Sequence, residues 1–201
     1  MASRQGPDFR QLLVALARAL DARGVGYMLI GGQAVLLHGQ PRLTEDLDVT
    51  LALDPSGLSI VRLVCADVGL TPLPENVDDF VNETFVLPVR HVATTLRVDF
   101  IFSSTEYERS AIACAERVDL DGARIAFATA EDLIIHKLFA ARPRDIEDVR
   151  GVLRRKGAGM DWAYLRHWAS AFAEIPGRER MVATLAELRA EAGSNTPGRG
   201  T

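Results

Sequence analysis

At 201 residues the chain is long enough for one sizeable core, or for one domain with a helical extension. Its composition, 48% hydrophobic and 25% charged, is that of an ordinary globular protein, and no apolar run reaches the roughly 18–20 residues a membrane helix needs. The net charge of −4 argues against broad nucleic-acid affinity, and the amino-terminus shows no apolar signal core, so a cytoplasmic protein is expected.

In chain order, Phe9, Leu12, Leu13, Leu16 and Leu20 recur at helical spacing and predict an amphipathic helix over 8–22, closed by Gly24 and Gly26. An apolar run at 27–30 predicts the first core strand. Gly31-Gly32 breaks it, and a short helix is expected over 33–38, with His38 as a capping or packing residue. A double glycine lets backbone approach a ligand closely and aims free N–H groups at it. Arg42 follows Pro41 and is either a phosphate contact or a solvated loop arginine. A second strand then begins at Asp46. Because side chains alternate along a strand, Asp46 and Asp48 share one side while Leu47, Val49 and Leu51 face a core. Glycines facing two acids form a phosphate cradle opposite carboxylates, which is what a metal–nucleotide complex requires.

Further along, a helix is expected over 55–68, then a loop marked by Gly69, Pro72 and Pro74, with an exposed acidic segment at 74–79. Strands are expected over 83–90 and 95–102, paired as a hairpin. Asp99 interrupts the second. A buried, unpaired carboxylate there would cost several kcal/mol, so it must face a crevice, an arginine such as Arg97, or a metal. A helix over 105–117 capped by Thr105 or Ser104, a turn at Asp121-Gly122 and a strand over 124–127 follow. Cys65 and Cys114 sit in apolar helical surroundings and are expected to be buried free thiols.

Thr129 followed three residues later by Asp132 opens another helix, which carries Lys137 in an otherwise apolar stretch. After Pro143 a helix over 144–156 holds Asp145 and Asp148. Two more helices are expected over 161–173 and 177–191, with Trp162, Leu165, Trp168 and Phe172 as an apolar stripe. Residues 1–128 thus form a core, 129–192 a helical part, and 193–201 a disordered tail. Residues 1–139 carry 12 basic and 19 acidic residues and residues 140–201 carry 11 and 8, so charge is uneven. The basic carboxy-terminal part either meets a phosphate-bearing substrate or is a solvated helical surface.

The glycines, the helix after them, Arg42 and Thr44, and then Asp46-x-Asp48 together resemble the signature of the polymerase-beta-type nucleotidyltransferase superfamily. Within it, GGQAVLLHGQPRLTEDLDV is similar to AbiEii-type minimal nucleotidyltransferases, toxins of type IV toxin–antitoxin systems. AEDLIIHKLFAARPRDIEDVRGVL resembles that family's second block, onto which Lys137, Asp145 and Asp148 map. Only 2 of the 23 basic residues are lysine, and Lys137 is one of them. The resemblance implies an α+β nucleotidyltransferase fold: a small mixed β-sheet flanked by helices, with a helical carboxy-terminal extension. It implies transfer of a nucleoside monophosphate from an NTP to an acceptor hydroxyl. Asp46, Asp48 and Asp99 would hold Mg²⁺ or Mn²⁺, Asp99 being nearest in role to activating the acceptor. Gly31, Gly32, Arg42, Thr44 and Lys137 would bind the nucleotide, and Asp145 would orient Lys137 or help activate the acceptor. The implied acceptor is a tRNA 3′ end or a small molecule, and a cognate antitoxin protein is an implied partner. The alternative is an inactive nucleotide- or partner-binding module on the same fold.

Overall fold

The computed structural model describes residues 7–41, 44, 46–103 and 105–194. These divide into two compact units, the first comprising 1–33 and 43–128, the second 34–42 and 129–201.

The first unit is built on a seven-stranded mixed sheet of order β3-β4-β5-β2-β1-β7-β6. Its strands are β1 (Tyr27–Leu29), β2 (Asp46–Leu51), β3 (Leu70–Pro72), β4 (Val86–His91), β5 (Arg97–Phe102), β6 (Glu116–Leu120) and β7 (Ala123–Phe127). The central pair, β2 and β5, runs parallel, and β1 is antiparallel to β2. Alternation sorts each strand between two faces. Leu47, Val49, Leu51, Leu87, Val89, Val98 and Phe100 are fully buried on one. Helix α1 (Pro7–Asp21) contributes Phe9, Leu12, Leu13, Leu16 and Leu20 to the same core, and α3 (Leu58–Val68) adds Val61, Val64 and Cys65. Five large apolar side chains on one stripe of α1, each worth about 1.5–3 kcal/mol when fully buried, make that helix integral to the core. Polar residues of β2 and β5 are thereby left on the opposite face.

Several elements differ from the sequence reading, each for a local reason. Residues expected as an acidic loop and the start of a strand form helix α4 (Val77–Thr84). Asp78 and Asp79 occupy its first turn, where the helix dipole favours acids, and Val81 anchors it with no exposed area. Phe85 ends α4 in the left-handed region, so β4 begins at Val86. The helix expected over 105–117 stops early as α5 (Glu106–Ala113), because Glu116–Leu120 pairs with β7 as a hairpin. Its turn is Asp121-Gly122, both at positive φ, the geometry a two-residue hairpin loop demands. Thr105 is the α5 cap, reciprocated by Glu108; Ser104 lies outside the described residues. Leu70–Pro72 is a short edge strand where a loop was expected. Cys65 is a buried free thiol, and burial pushes it up to about 12. Cys114, expected to be buried, is exposed because it caps the end of α5.

Helices of the second unit include α6 (Ala130–Ala140), α7 (Pro143–Lys156), α8 (Trp162–Ala173) and α9 (Met181–Ser194). Thr129 caps α6, accepting from the Asp132 backbone N–H at 3.0 Å. The stripe on α8 is a packing seam, with Phe172 edge-on to Phe139 at 5.4 Å and Leu165 fully buried. Residues 34–42 belong to this unit. Buried His38 meets Lys156 at 2.8 Å through Nδ1, and the Gly39 carbonyl accepts from Arg155 at 3.0 Å. His38 is thus a packing residue, as its place near a helix end suggested. Among the described residues no helix is long and apolar enough to cross a membrane.

Candidate active site

In the first unit the parallel pairing of β2 with β5 sets Asp48 directly opposite Asp99 and Asp46 opposite Arg97. Three carboxylates and one guanidinium therefore occupy a small patch of the face opposite the apolar core. Asp46 is exposed, while Asp48 and Asp99 are half-buried. The Arg97 Nε donates to Asp99 Oδ1 at 2.8 Å. That hydrogen bond and the Asp99 charge hold the Arg97 guanidinium above its ordinary range, with Asp46 and Asp48 adding to the effect.

Helix α2 (Gly31–His38) starts beside this patch. The Ile30 N–H donates to the Asp48 carbonyl at 3.0 Å, which ties the turn to β2. Gly31 has φ +61, and a Cβ there would fall on the Asp48 carboxylate, with Cγ only 2.8 Å away. A Cβ on Gly32 would fall on the Thr44 hydroxyl, with the Thr44 Cβ 2.7 Å away. The glycines are required here twice over, by conformation at Gly31 and by space at both. The first turn of a helix carries N–H groups without intrahelical partners, so the start of α2 brings donors to within reach of the acids.

Three carboxylates are hard oxygen donors of the kind Mg²⁺ takes, and only the bare α-carbon of Gly31 lets the Asp48 carboxylate lie against the turn. The donor set therefore fits a divalent ion in type and in strand position. Among the described residues, no three acidic, histidine or cysteine side chains are drawn together as a ready-made metal site. Arg97 holds one oxygen of Asp99 in their place.

The second unit holds a separate charged cluster. Lys137, Asp145 and Asp148 are all buried. The Lys137 Nζ donates to Asp145 Oδ1 at 2.7 Å and lies 2.9 Å from Asp148 Oδ2. Asp145 Oδ2 accepts from Arg142 Nε at 2.9 Å and from the Arg142 backbone N–H at 3.3 Å. Burial pushes the Asp145 carboxyl up, yet bonding to Lys137 and Arg142 outweighs it and leaves the group below the ordinary carboxylate range. Asp132 is held by hydrogen bonds too, accepting from Thr129 Oγ1 at 2.7 Å and from Tyr164 at 2.6 Å.

The family model described as "Nucleotidyl transferase AbiEii toxin, Type IV TA system" matches residues 11–195. The chain belongs to the AbiEii nucleotidyltransferase toxin family. No curated protein sequence matches this AbiEii-family chain. Its fold is similar to that of an antigenic nucleotidyltransferase-like protein from Paracoccidioides brasiliensis, at 18% identity and a TM-score of 0.58, over 94% of this chain and 92% of that one. The antibiotic-resistance factor ANT(2'')-Ia matches at 17% identity and a TM-score of 0.56, over 89% and 95% of the two chains. A putative nucleotidyltransferase from H. pylori matches at 17% identity and a TM-score of 0.51, over 96% and 95%. The seven-stranded mixed sheet with flanking helices is thus a nucleotidyltransferase fold, and the AbiEii-family chain is a transferase.

Of the site residues expected from sequence, Gly31, Gly32, Thr44, Asp46, Asp48 and Asp99 come together in the first unit of this AbiEii-family chain. Lys137 and Asp145 form their own cluster in the second. Arg42 lies outside the described residues. Asp148, mapped from sequence onto the same block as Lys137 and Asp145, joins them, with its Oδ2 2.9 Å from the Lys137 Nζ. Sequence reasoning missed Tyr164, whose contact with Asp132 spans 32 residues and leaves no local trace.

Proposed function

We propose that this protein transfers a nucleoside monophosphate from an NTP to an acceptor hydroxyl, with Asp46, Asp48 and Asp99 holding Mg²⁺ or Mn²⁺. The observation that carries this reading is the register that sets Asp48 opposite Asp99 beside a glycine turn no other residue fits. The bound ion would supply Lewis-acid stabilisation of phosphate charge. Gly31 and Gly32 let the first N–H groups of α2 approach phosphate oxygens, Thr44 adds a hydroxyl, and Arg42 is the further nucleotide contact. Lys137 supplies fixed positive charge for the nucleotide, and Asp145 orients its ammonium. The acceptor oxygen forms a bond to the α-phosphorus while the bond to the bridging oxygen breaks, releasing pyrophosphate. Asp99 stands nearest in role to taking the hydroxyl proton. Few protein groups are needed, because the chemistry is positioning and electrostatics.

A type IV toxin–antitoxin family suggests a tRNA 3′ end as acceptor and a cognate antitoxin as partner. Incubation with each NTP labelled at the α-phosphate, Mg²⁺ and total cellular RNA tests both reaction and acceptor. Label is expected in RNA with the wild type and not with the Asp46→Asn/Asp48→Asn double variant. Label in a small-molecule or protein fraction instead would reassign the acceptor. Equal labelling by both proteins would overturn the site.

A further inference from the structure

Arg97 is not a member of the acid triad, yet it sits within it. It shares a face with Asp46, Asp48 and Asp99 and donates to Asp99 across two residues of its own strand. Three neighbouring carboxylates repel one another, and a guanidinium among them lowers that cost. A divalent cation would do the same with twice the charge, so arginine and metal are alternatives at Asp99.

The side chains differ in freedom. Arg97 is 44% exposed and Asp99 only 19%, so the long guanidinium stem is the partner able to move. Arg97 also lines an open cavity of about 640 Å³ in the same unit. One face of α4 forms a wall of that cavity, with Asn76, Asp79, Phe80 and Glu83 at helical spacing and Glu75 just before them. Asp79 accepts from Asn76, whereas Glu75 and Glu83 have no ion-pair partner among the described residues. On the β4 side the cross-strand neighbour of Asp99 is Pro88, which lines the cavity too, so the space opens beside the acid that Arg97 now holds.

We propose that Arg97 is the resident counter-cation of this carboxylate face, releasing Asp99 to a divalent cation and turning into the acid-lined cavity. There Glu75 and Glu83 receive the guanidinium, on a wall that Phe80 shares. Arg97 is thus a positioning residue that makes metal entry an exchange of partners. This inference rests on the metal reading of the acids given above.

Mn²⁺ titration followed by electron paramagnetic resonance, without nucleotide, tests it on the full chain. Removing a competitor whose ion pair is worth about 1 kcal/mol should tighten Mn²⁺ binding by roughly fivefold in Arg97→Ala. Arg97→Lys, which keeps the charge without the guanidinium fork, should fall between Arg97→Ala and the wild type. Glu75→Gln/Glu83→Gln removes the second berth and should weaken binding. Unchanged or weaker binding by both Arg97 variants, while Asp48→Asn loses affinity, would overturn the counter-cation role alone. Undiminished binding by Asp48→Asn would overturn the metal reading, and this inference with it.

Discussion

At the scale of single residues, the site depends on an absence. Gly31 combines φ +61 with a position where any Cβ would strike the Asp48 carboxylate. Substitution to alanine therefore adds left-handed backbone strain to a collision that forces the Asp48 carboxylate to swing away from the turn. Gly31→Ala is expected to cost about 1–3 kcal/mol of stability through backbone strain alone. Labelling activity should fall to background even where the fold survives, because the turn and Asp48 must separate. Urea denaturation alongside the nucleotide assay checks both halves; full activity in a stable variant would refute the close approach. This feature was legible in sequence as two glycines ahead of two acids. Which glycine meets which side chain was not, since that is fixed by the pairing of β1 with β2, a long-range contact.

At the scale of elements, α6 and α7 are clasped by one buried cation and two buried carboxylates. Lys137→Met would leave Asp145 and Asp148 without their shared partner, and breaking a buried pair in this way costs about 3–5 kcal/mol. The pH dependence has a definite sign. Asp145 is held below the ordinary carboxylate value, so its stabilising contribution is present above that value and is lost as pH falls through the lowered one. In Lys137→Met the main cause of the depression is gone. The gap in stability between wild type and variant should therefore be widest near neutrality and narrow on acidification. Denaturation midpoints measured from neutral pH to about pH 3 check this against the ordinary carboxylate value of about 4; a gap constant across that range would refute it. The helices of this cluster were legible because caps and apolar spacing are local: Thr129 and Pro143 mark their starts. Helix α4 and strand β6 were not. Val77, Phe80 and Val81 do carry helical spacing, but prolines before them and an apolar run after them favour loop and strand locally. In β6, Glu116–Leu120 becomes a strand only because β7 offers an edge across the Asp121-Gly122 turn.

At the scale of the molecule, the sequence shows helices gathering after residue 128 but cannot show what they pack with. The second compact unit takes in residues 34–42 as well. Within it, a Cβ on Gly39 would meet Val152 at 3.2 Å, and one on Gly151 would meet the Gln40 backbone at 3.4 Å, so α7 and the 39–40 backbone run close together. Arg155 and Lys156 at the end of α7 donate to Gly39 and His38 respectively. A fragment spanning 129–201 therefore lacks part of its own packing. It would expose Val152, fully buried in the whole chain, and leave two cations at the end of α7 without their acceptors. Such a fragment is expected to be less helical than its share of the intact protein and to melt without a sharp transition. Adding a synthetic peptide of residues 33–42 should raise its helicity. Circular dichroism of the fragment, with and without the peptide, decides the matter. A fragment that unfolds cooperatively alone, unaffected by the peptide, would mean that the four helices are sufficient and that residues 34–42 merely lie against them.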